Sequence, residues 1–472
     1  MVLFICFKII LLNFYTKGGI SLTKDMTTGN PVKLILTFCI PLLIGNIFQQ
    51  FYSMADTIIV GRFLGVDALA AVGSTGAMAF LVNGFVIGLT SGFSVLVSQR
   101  FGANDEEGVK KAFASSLILS IIMTIIVTAV SVLFAKPLLV LMNTPENIMK
   151  DALAYIIIIF AGNLAIIFYN MLSSILRALG DSKTPLYFLI IASVLNIILD
   201  IVFIVNFNMG VAGAAYATII SQSISAILCA FYIIKKFPIL KLKKYHWKIR
   251  KAYVDKQLRI GIPMALQFSI TAAGAMVLQG ALNNFGSKII ASYTAASKVQ
   301  QLVMQPAVTF GVAMATYSGQ NLGAGRIDRI KEGVKKCTII SIIVSVVSTF
   351  IVVLFGGTFT KMFMSGNDIE VIAYAKQYLN TVSIFYIPLG LIFIYRNTLQ
   401  GIGESFVPMM AGFAEMVART VVAFTLPLLL DFTGIALADP AAWFAACIPL
   451  MITYYKRINI IMKEKQIINP VA

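Results

Sequence analysis

The chain has 472 residues, 59% of them hydrophobic and only 12% charged, with a mean hydropathy of +0.89. Soluble proteins carry about 25% charged residues, so this composition argues against one and for a polytopic membrane protein. The formal charge of +17 would suit nucleic acid, but loops that carry the basic residues on one side of a membrane explain it better.

The first residues, "MVLFICFKIILLNFY", are interrupted by Lys8 and fall short of the ~20 residues a span needs. They lack an A-x-A-like cleavage site. Residues 1–25 are therefore expected to be a dispensable extension, with the working protein starting near Met26.

Runs long enough to cross ~30 Å of hydrocarbon are predicted at 33–60, 68–97, 112–135, 152–175, 186–207 and 211–234. A second set is predicted at 258–283, 290–316, 337–356, 371–395, 407–430 and 433–455. With the amino terminus inside, the tails and even-numbered connections hold 29 of the 37 Lys and Arg, and the other side holds six. That bias places both ends in the cytoplasm. "KKFPILKLKKYHWKIRKAYVDKQLR" joins the sixth and seventh spans and reads as a topogenic linker rather than a nucleic-acid site.

The two sets are related. "VSQRFGANDEEGVKK" (97–111) matches "YSGQNLGAGRIDRIKEGVKK" (317–336), and "LRALGDSKTP" (176–185) matches "LQGIGESFVP" (399–408). The expected fold is all-α, with 12 transmembrane helices in two pseudo-symmetric six-helix lobes. The first lobe is 26–234, the basic linker 235–257, the second lobe 258–460 and the tail 461–472. Parallel repeats of this kind build transporters with a substrate site between lobes.

Five scattered cysteines (Cys6, Cys39, Cys229, Cys337, Cys447) without CxxC and the single His246 imply neither a disulfide framework nor a metal site. The acids within spans are more informative. In "SVLNIILDIVF" (193–203), Asn196 and Asp200 share one helix face. An ionised carboxylate there needs a partner or a proton. Asp200 lies ~10 Å from the outer end of its span, and Thr218 in the next span has about the same depth. Asp56 overlaps them from the first span, although a pair with Arg62 near the interface would also explain it. Two carboxylates at low dielectric hold one proton between them; with an amide and a hydroxyl they could instead coordinate sodium.

The second half departs at these places, with Arg419 where the first has Asn196, and Ala423 for Asp200. Glu415 and Arg419 are four apart and read as a structural pair, with gating or substrate contact as the alternative. Lys298 is expected to join them.

With those residues in view, the chain resembles the MATE (multidrug and toxic compound extrusion) family, in a bacterial-type member, over about residues 26–460. The likeness rests on "IPLLIGNIFQQFYSMADTIIVGRFLG", "LRALGDSKTP", "NIILD" and "GAAYAT". It implies a cavity alternately open to either side of a bacterial plasma membrane, and efflux of organic cations driven by H⁺ or Na⁺. It also implies an ion site at Asp56, Asn196, Asp200 and Thr218, with bending of the first span near Pro41. Neither a cofactor nor a metal is called for beyond the coupling ion, and a monomer that is not an enzyme is expected. A lipid-linked sugar flippase of the same superfamily is the rival, disfavoured because its pyrophosphate needs several cations and only Lys298 and Arg419 fall within spans. An ATP-driven pump lacks its G-x-x-x-x-G-K-[ST] motif. Deleting residues 1–25 should leave membrane insertion and transport intact, as measured by expression and efflux of the truncated chain; loss of both would refute the extension reading.

Overall fold

In hydrocarbon, backbone N–H and C=O groups have no water to bond, so the apolar runs close their hydrogen bonds within helices. The computed structural model describes residues 24–282, 285–361 and 368–468, and no strand occurs among them. The first lobe contains α1 (Pro31–Leu64), α2 (Val66–Gly102), α3 (Glu106–Leu141), the bent pair α4 (Glu146–Ala161) and α5 (Asn163–Ala178), α6 (Lys183–Ile201) and α7 (Gly210–Lys236). The second repeats the pattern with α8 (Lys251–Leu282), α9 (Ser287–Gly323), α10 (Ile327–Lys361), the bent pair α11 (Ile369–Ser383) and α12 (Tyr386–Gly401), and α13 (Phe406–Thr425). It closes with the short α14 (Pro427–Ala436) and the long α15 (Ala438–Ile468). The equivalent bent pairs turn by 46° and 54°, so each lobe has six spans, with α14 as a connector.

Three expectations are redrawn. The eleventh span ends at Thr425 rather than 430, because Pro427 opens a separate ten-residue helix. The twelfth starts at Ala438, bent by 72° from that helix. The linker is shorter than 235–257, because α7 runs to Lys236 and α8 begins at Lys251.

The linker is docked. His246 is buried, and its Nδ1 accepts the Lys243 N–H at 2.8 Å. That leaves Nε2 as the donor to Glu107, 3.3 Å away at the start of α3. The Tyr245 hydroxyl donates to the same carboxylate at 3.2 Å. Desolvation is the largest single effect and works the other way, but the bonds from His246 and Tyr245, with the Lys111 charge, together outweigh it and hold the Glu107 carboxyl below its usual range.

The repeated motifs form the contact between lobes on the face that carries Lys24 and the end of α15, called here the terminal face. A Cβ at Gly102 would lie 1.9 Å from the Gln320 carbonyl oxygen, and one at Gly323 would lie 1.8 Å from that of Gln99. Only glycine lets α2 and α9 cross this closely. Around the crossing, the Gln99 amide donates to Gly401 O of the second lobe at 3.0 Å. The Gln320 amide donates to Ala178 O of the first at 2.9 Å. Ala178 and Gly401 are equivalent in the repeat, so the clasp is two-fold symmetric. Gln257 of α8 adds bonds to Ala112 O and Ser116 Oγ of α3, at 2.9 and 2.8 Å.

A short amino-terminal strap covers this clasp. Met26 is buried; its N–H donates to Gln320 Oε1 at 2.8 Å, and its carbonyl accepts from Asn321 and Arg329. The Lys24 N–H donates to Leu179 O at 3.0 Å. Residues 1–23 of the expected extension lie outside the described residues, but Lys24 and Asp25 belong to the fold, and a cut that spares them is the less disruptive one.

Toward the opposite face the lobes part. On α2, Gly84 still meets Phe268 of α8, whereas a Cβ at Gly73 or Gly76 would meet nothing. Replacing Gly102 or Gly323 by alanine should force the crossing open. Spin-label pairs across the terminal face should then show a longer distance than in wild type, and an unchanged distance would contradict the close-packed crossing.

Candidate functional site

Helical spacing brings the first-lobe acids together. Tyr52 and Asp56 are one turn apart on α1, Asn196 and Asp200 one turn apart on α6, and Thr218 and Tyr155 approach from α7 and α4. Asn196 and Asp200 are 1% and 0% exposed. The Asp56 and Asp200 carboxyls are close enough to interact. Arg62 is exposed and forms no ion pair among the described residues, so the alternative of a surface pair with Asp56 is not realised.

The Asn196 amide satisfies its neighbours in one orientation. Its nitrogen donates to Asp200 Oδ2 at 2.8 Å, and its oxygen accepts from the Thr218 hydroxyl at 3.3 Å and the Thr218 N–H at 3.1 Å. Tyr52 and Thr218 are near neighbours, and Tyr155 is near enough to both acids to feel their charge. Oδ1 of Asp56 and Oδ1 of Asp200 are buried without a partner. Immediately after Asp200, α6 widens into a π turn over Val202–Asn206, a distortion frequent at functional sites. Two facing carboxylates with an unsatisfied oxygen each can hold a proton or a small cation between them.

The second lobe places a different cluster at the matching position. Glu415 accepts from Arg396 Nη2 at 2.9 Å and from Arg419 Nη2 at 3.1 Å. The Arg419 Nε donates to Asp439 Oδ1 at 2.9 Å. The Tyr378 hydroxyl lies 2.9 Å from both Asp439 Oδ2 and Gln300 Oε1. Two guanidinium groups balance two carboxylates, and all four side chains are buried. The expected Glu415–Arg419 pair is present as part of this larger network.

Lys298 does not join it. It is exposed and has no ion pair among the described residues, because the network-facing position on α9 is Gln300, two residues on and ~200° around the helix. Arg396 falls just past the predicted span 371–395, in a connection, but lies within α12 and is 7% exposed. Tyr52, Tyr155, Arg396, Tyr378 and Asp439 were all missed by sequence reasoning. Tyr155 and Tyr378 are equivalent in the repeat, which was a readable signal. Pro41 is buried inside α1, which stays helical through it.

The comparisons with known proteins fit this geometry. The MatE family model matches residues 41–202 and 263–425. "Probable multidrug resistance protein YpnP" of Bacillus subtilis (strain 168) is 32% identical over 383 residues, covering 80% of this chain and 84% of that protein. "Probable multidrug resistance protein YoeA" of the same strain is 30% identical over 440 residues, covering 91% and 94%. A solved outward-facing conformation of a multidrug resistance MATE family transporter of the MOP superfamily superposes with a TM-score of 0.87. It is 24% identical, with 93% of this chain and 99% of that one covered.

Replacing Arg419 by methionine should cost about 3–5 kcal/mol, because Glu415 and Asp439 both lose a buried counter-charge. Lys298→Met should change stability by less than about 0.5 kcal/mol. Thermal unfolding of the purified variants would check both, and equal effects would contradict the assignment of Lys298 outside the network.

Proposed function

For this chain, which belongs to the MATE family of multidrug efflux transporters, we propose secondary active antiport: lipophilic small molecules leave as a proton held between Asp56 and Asp200 moves inward. The observation that carries this reading is the pair of facing carboxylates, each with a buried, unpartnered oxygen. An intramembrane acid that only glued helices would be costly without a compensating charge. No arginine or lysine approaches this pair among the described residues.

Proton rather than sodium is the reading adopted, since a proton needs only the two facing carboxylates, whereas a metal ion needs a larger set of oxygens around it.

The terminal face is proposed to be cytoplasmic in a bacterial plasma membrane, in keeping with the basic residues gathered there and the bacterial relatives. In the conformation described, the lobes part on the outer side. Proton binding at Asp56 and Asp200 repacks α1 against α6, the hinge being near Pro41, and disfavours bound substrate. The lobes then rock, the terminal face opens, and the proton leaves inward. Such coupling requires the proton to bind the two conformations with different affinity. The chemistry needs no cofactor, and one chain contains both lobes and the site. A flippase for pyrophosphate-linked lipids gains no support, since Arg396 and Arg419 are neutralised by Glu415 and Asp439.

The test is dye efflux in vesicles under separately imposed H⁺ and Na⁺ gradients. Asp200→Asn should reduce proton-driven efflux to background, and Thr218→Ala should lower it several-fold, about the worth of one hydrogen bond. Efflux driven by Na⁺ alone, or an unaffected Asp200→Asn protein, would overturn the assignment.

A further inference from the structure

The face of α9 that meets the first lobe at the crossing continues toward the open end of the molecule. Gly323, Gln320 and Thr316 touch α2 or α5, and Thr309 touches Cys39 of α1. Stepping back by three or four residues along the same face gives Gln305, Gln301, Lys298, Thr294 and Ala291. Ala291, Thr294, Lys298 and Gln301 are all exposed.

A polar stripe with a lysine in it is not stable against acyl chains. Lys298 lies ten residues, ~15 Å, below Lys288, which pairs with Glu370 at the outer end of the bundle, and so lies deep. This stripe faces water between the parted lobes. The matching face of α2 has Gly84, Phe80, Gly73 and Ala70, small or apolar groups without charge. One wall of the cleft is therefore flat and apolar, and the other has a cationic centre flanked by amides.

Lys298 has no counter-ion among the described residues. The Glu415 and Asp439 carboxylates are already bound by two arginines, and Asp200 is wholly buried inside the first lobe. Resting on the transport reading above, we infer that the cleft selects lipophilic molecules bearing a carboxylate, as monoanions or zwitterions, with Lys298 as the specificity-determining contact and Gln301 beside it. The ammonium offers three donors to a carboxylate, and the Gln301 amide two more. A single unpaired cation suits one anionic group rather than a pyrophosphate. A purely cationic substrate would meet a like charge at this wall.

The test uses a carboxylated rhodamine and its methyl ester, which share a ring system and differ only in the anionic group. Uptake of each is followed in everted vesicles containing the full chain and an imposed proton gradient, with empty vesicles subtracted. Wild type should prefer the carboxylated dye. Lys298→Gln should lose that preference by about tenfold, the worth of one charge-assisted contact. Lys298→Arg should keep it, and Lys298→Glu should favour the ester. Preference of wild type for the ester, or an equal fall for both dyes in Lys298→Gln, would overturn the selectivity while leaving transport intact. Absence of transport for either dye would overturn the transport reading, and this inference with it.

Discussion

A charged side chain at hydrocarbon depth persists in one of three ways: it shares a proton, it is paired and hydrogen-bonded, or it faces water. Among the described residues the spans hold one cluster suited to each solution. Asp56 and Asp200 face each other without a basic partner. Glu415 and Asp439 are held by Arg396 and Arg419. Lys298 lies on a polar stripe that only an aqueous cleft can accommodate. The remaining polar groups of the spans are largely serine, threonine and amide side chains bonded back to their own helices, which impose no such demand.

These charges are distributed unequally over a symmetric frame. The clasp at the terminal face obeys the repeat closely: Gln99 bonds to Gly401 and Gln320 to Ala178. The tyrosines at 155 and 378 occupy equivalent places in the two polar clusters. Yet Asn196 is replaced by Arg419 and Asp200 by Ala423. On the antiport reading, a duplicated scaffold keeps the geometry needed to rock one lobe against the other, while one lobe holds a facing acid pair and its copy holds a neutral network. A buried network of that kind contributes little net stability, because desolvation consumes most of the attraction. Its balance matters more, since on the antiport reading it would keep two acids from competing for the proposed coupling proton.

The spans themselves were legible because apolar length is set by the thickness of the bilayer. Asp200 was legible because an acid in such a run has no cheap structural use. What sequence missed shares one cause: an apolar count sees neither helix direction nor helix ends. Arg396 follows the apolar run ending at 395, yet α12 continues to Gly401 and carries it inward. Asp439 stands in the first turn of α15, reached only after the separate helix α14 turns the chain back. Lys298 is expected beside Glu415 and Arg419 because it shares a span with no other charge, although Gln300 is the residue that reaches their network. The strap at Lys24–Met26 was invisible for another reason, since its bonds are mostly made by backbone groups that every residue has.

The geometry also bears on how a proton in one lobe can influence contacts at the opposite face. Asp200 lies near one end of α6, and the other end begins at Lys183, seventeen positions or ~26 Å away. The turn before that end is rigid: Asp181 Oδ1 accepts the N–H groups of Lys183 and Thr184, both at 3.0 Å. Burial raises the Asp181 carboxyl above its ordinary range. Three and two residues before Asp181 are Ala178 and Leu179, whose carbonyls accept from Gln320 and Lys24. The acid pair and the inter-lobe clasp therefore lie at opposite ends of one stiff element. On the antiport reading proposed above, repacking of α6 at Asp200 would act on the carbonyls that hold the terminal face closed, without a chain of side-chain relays between the two ends.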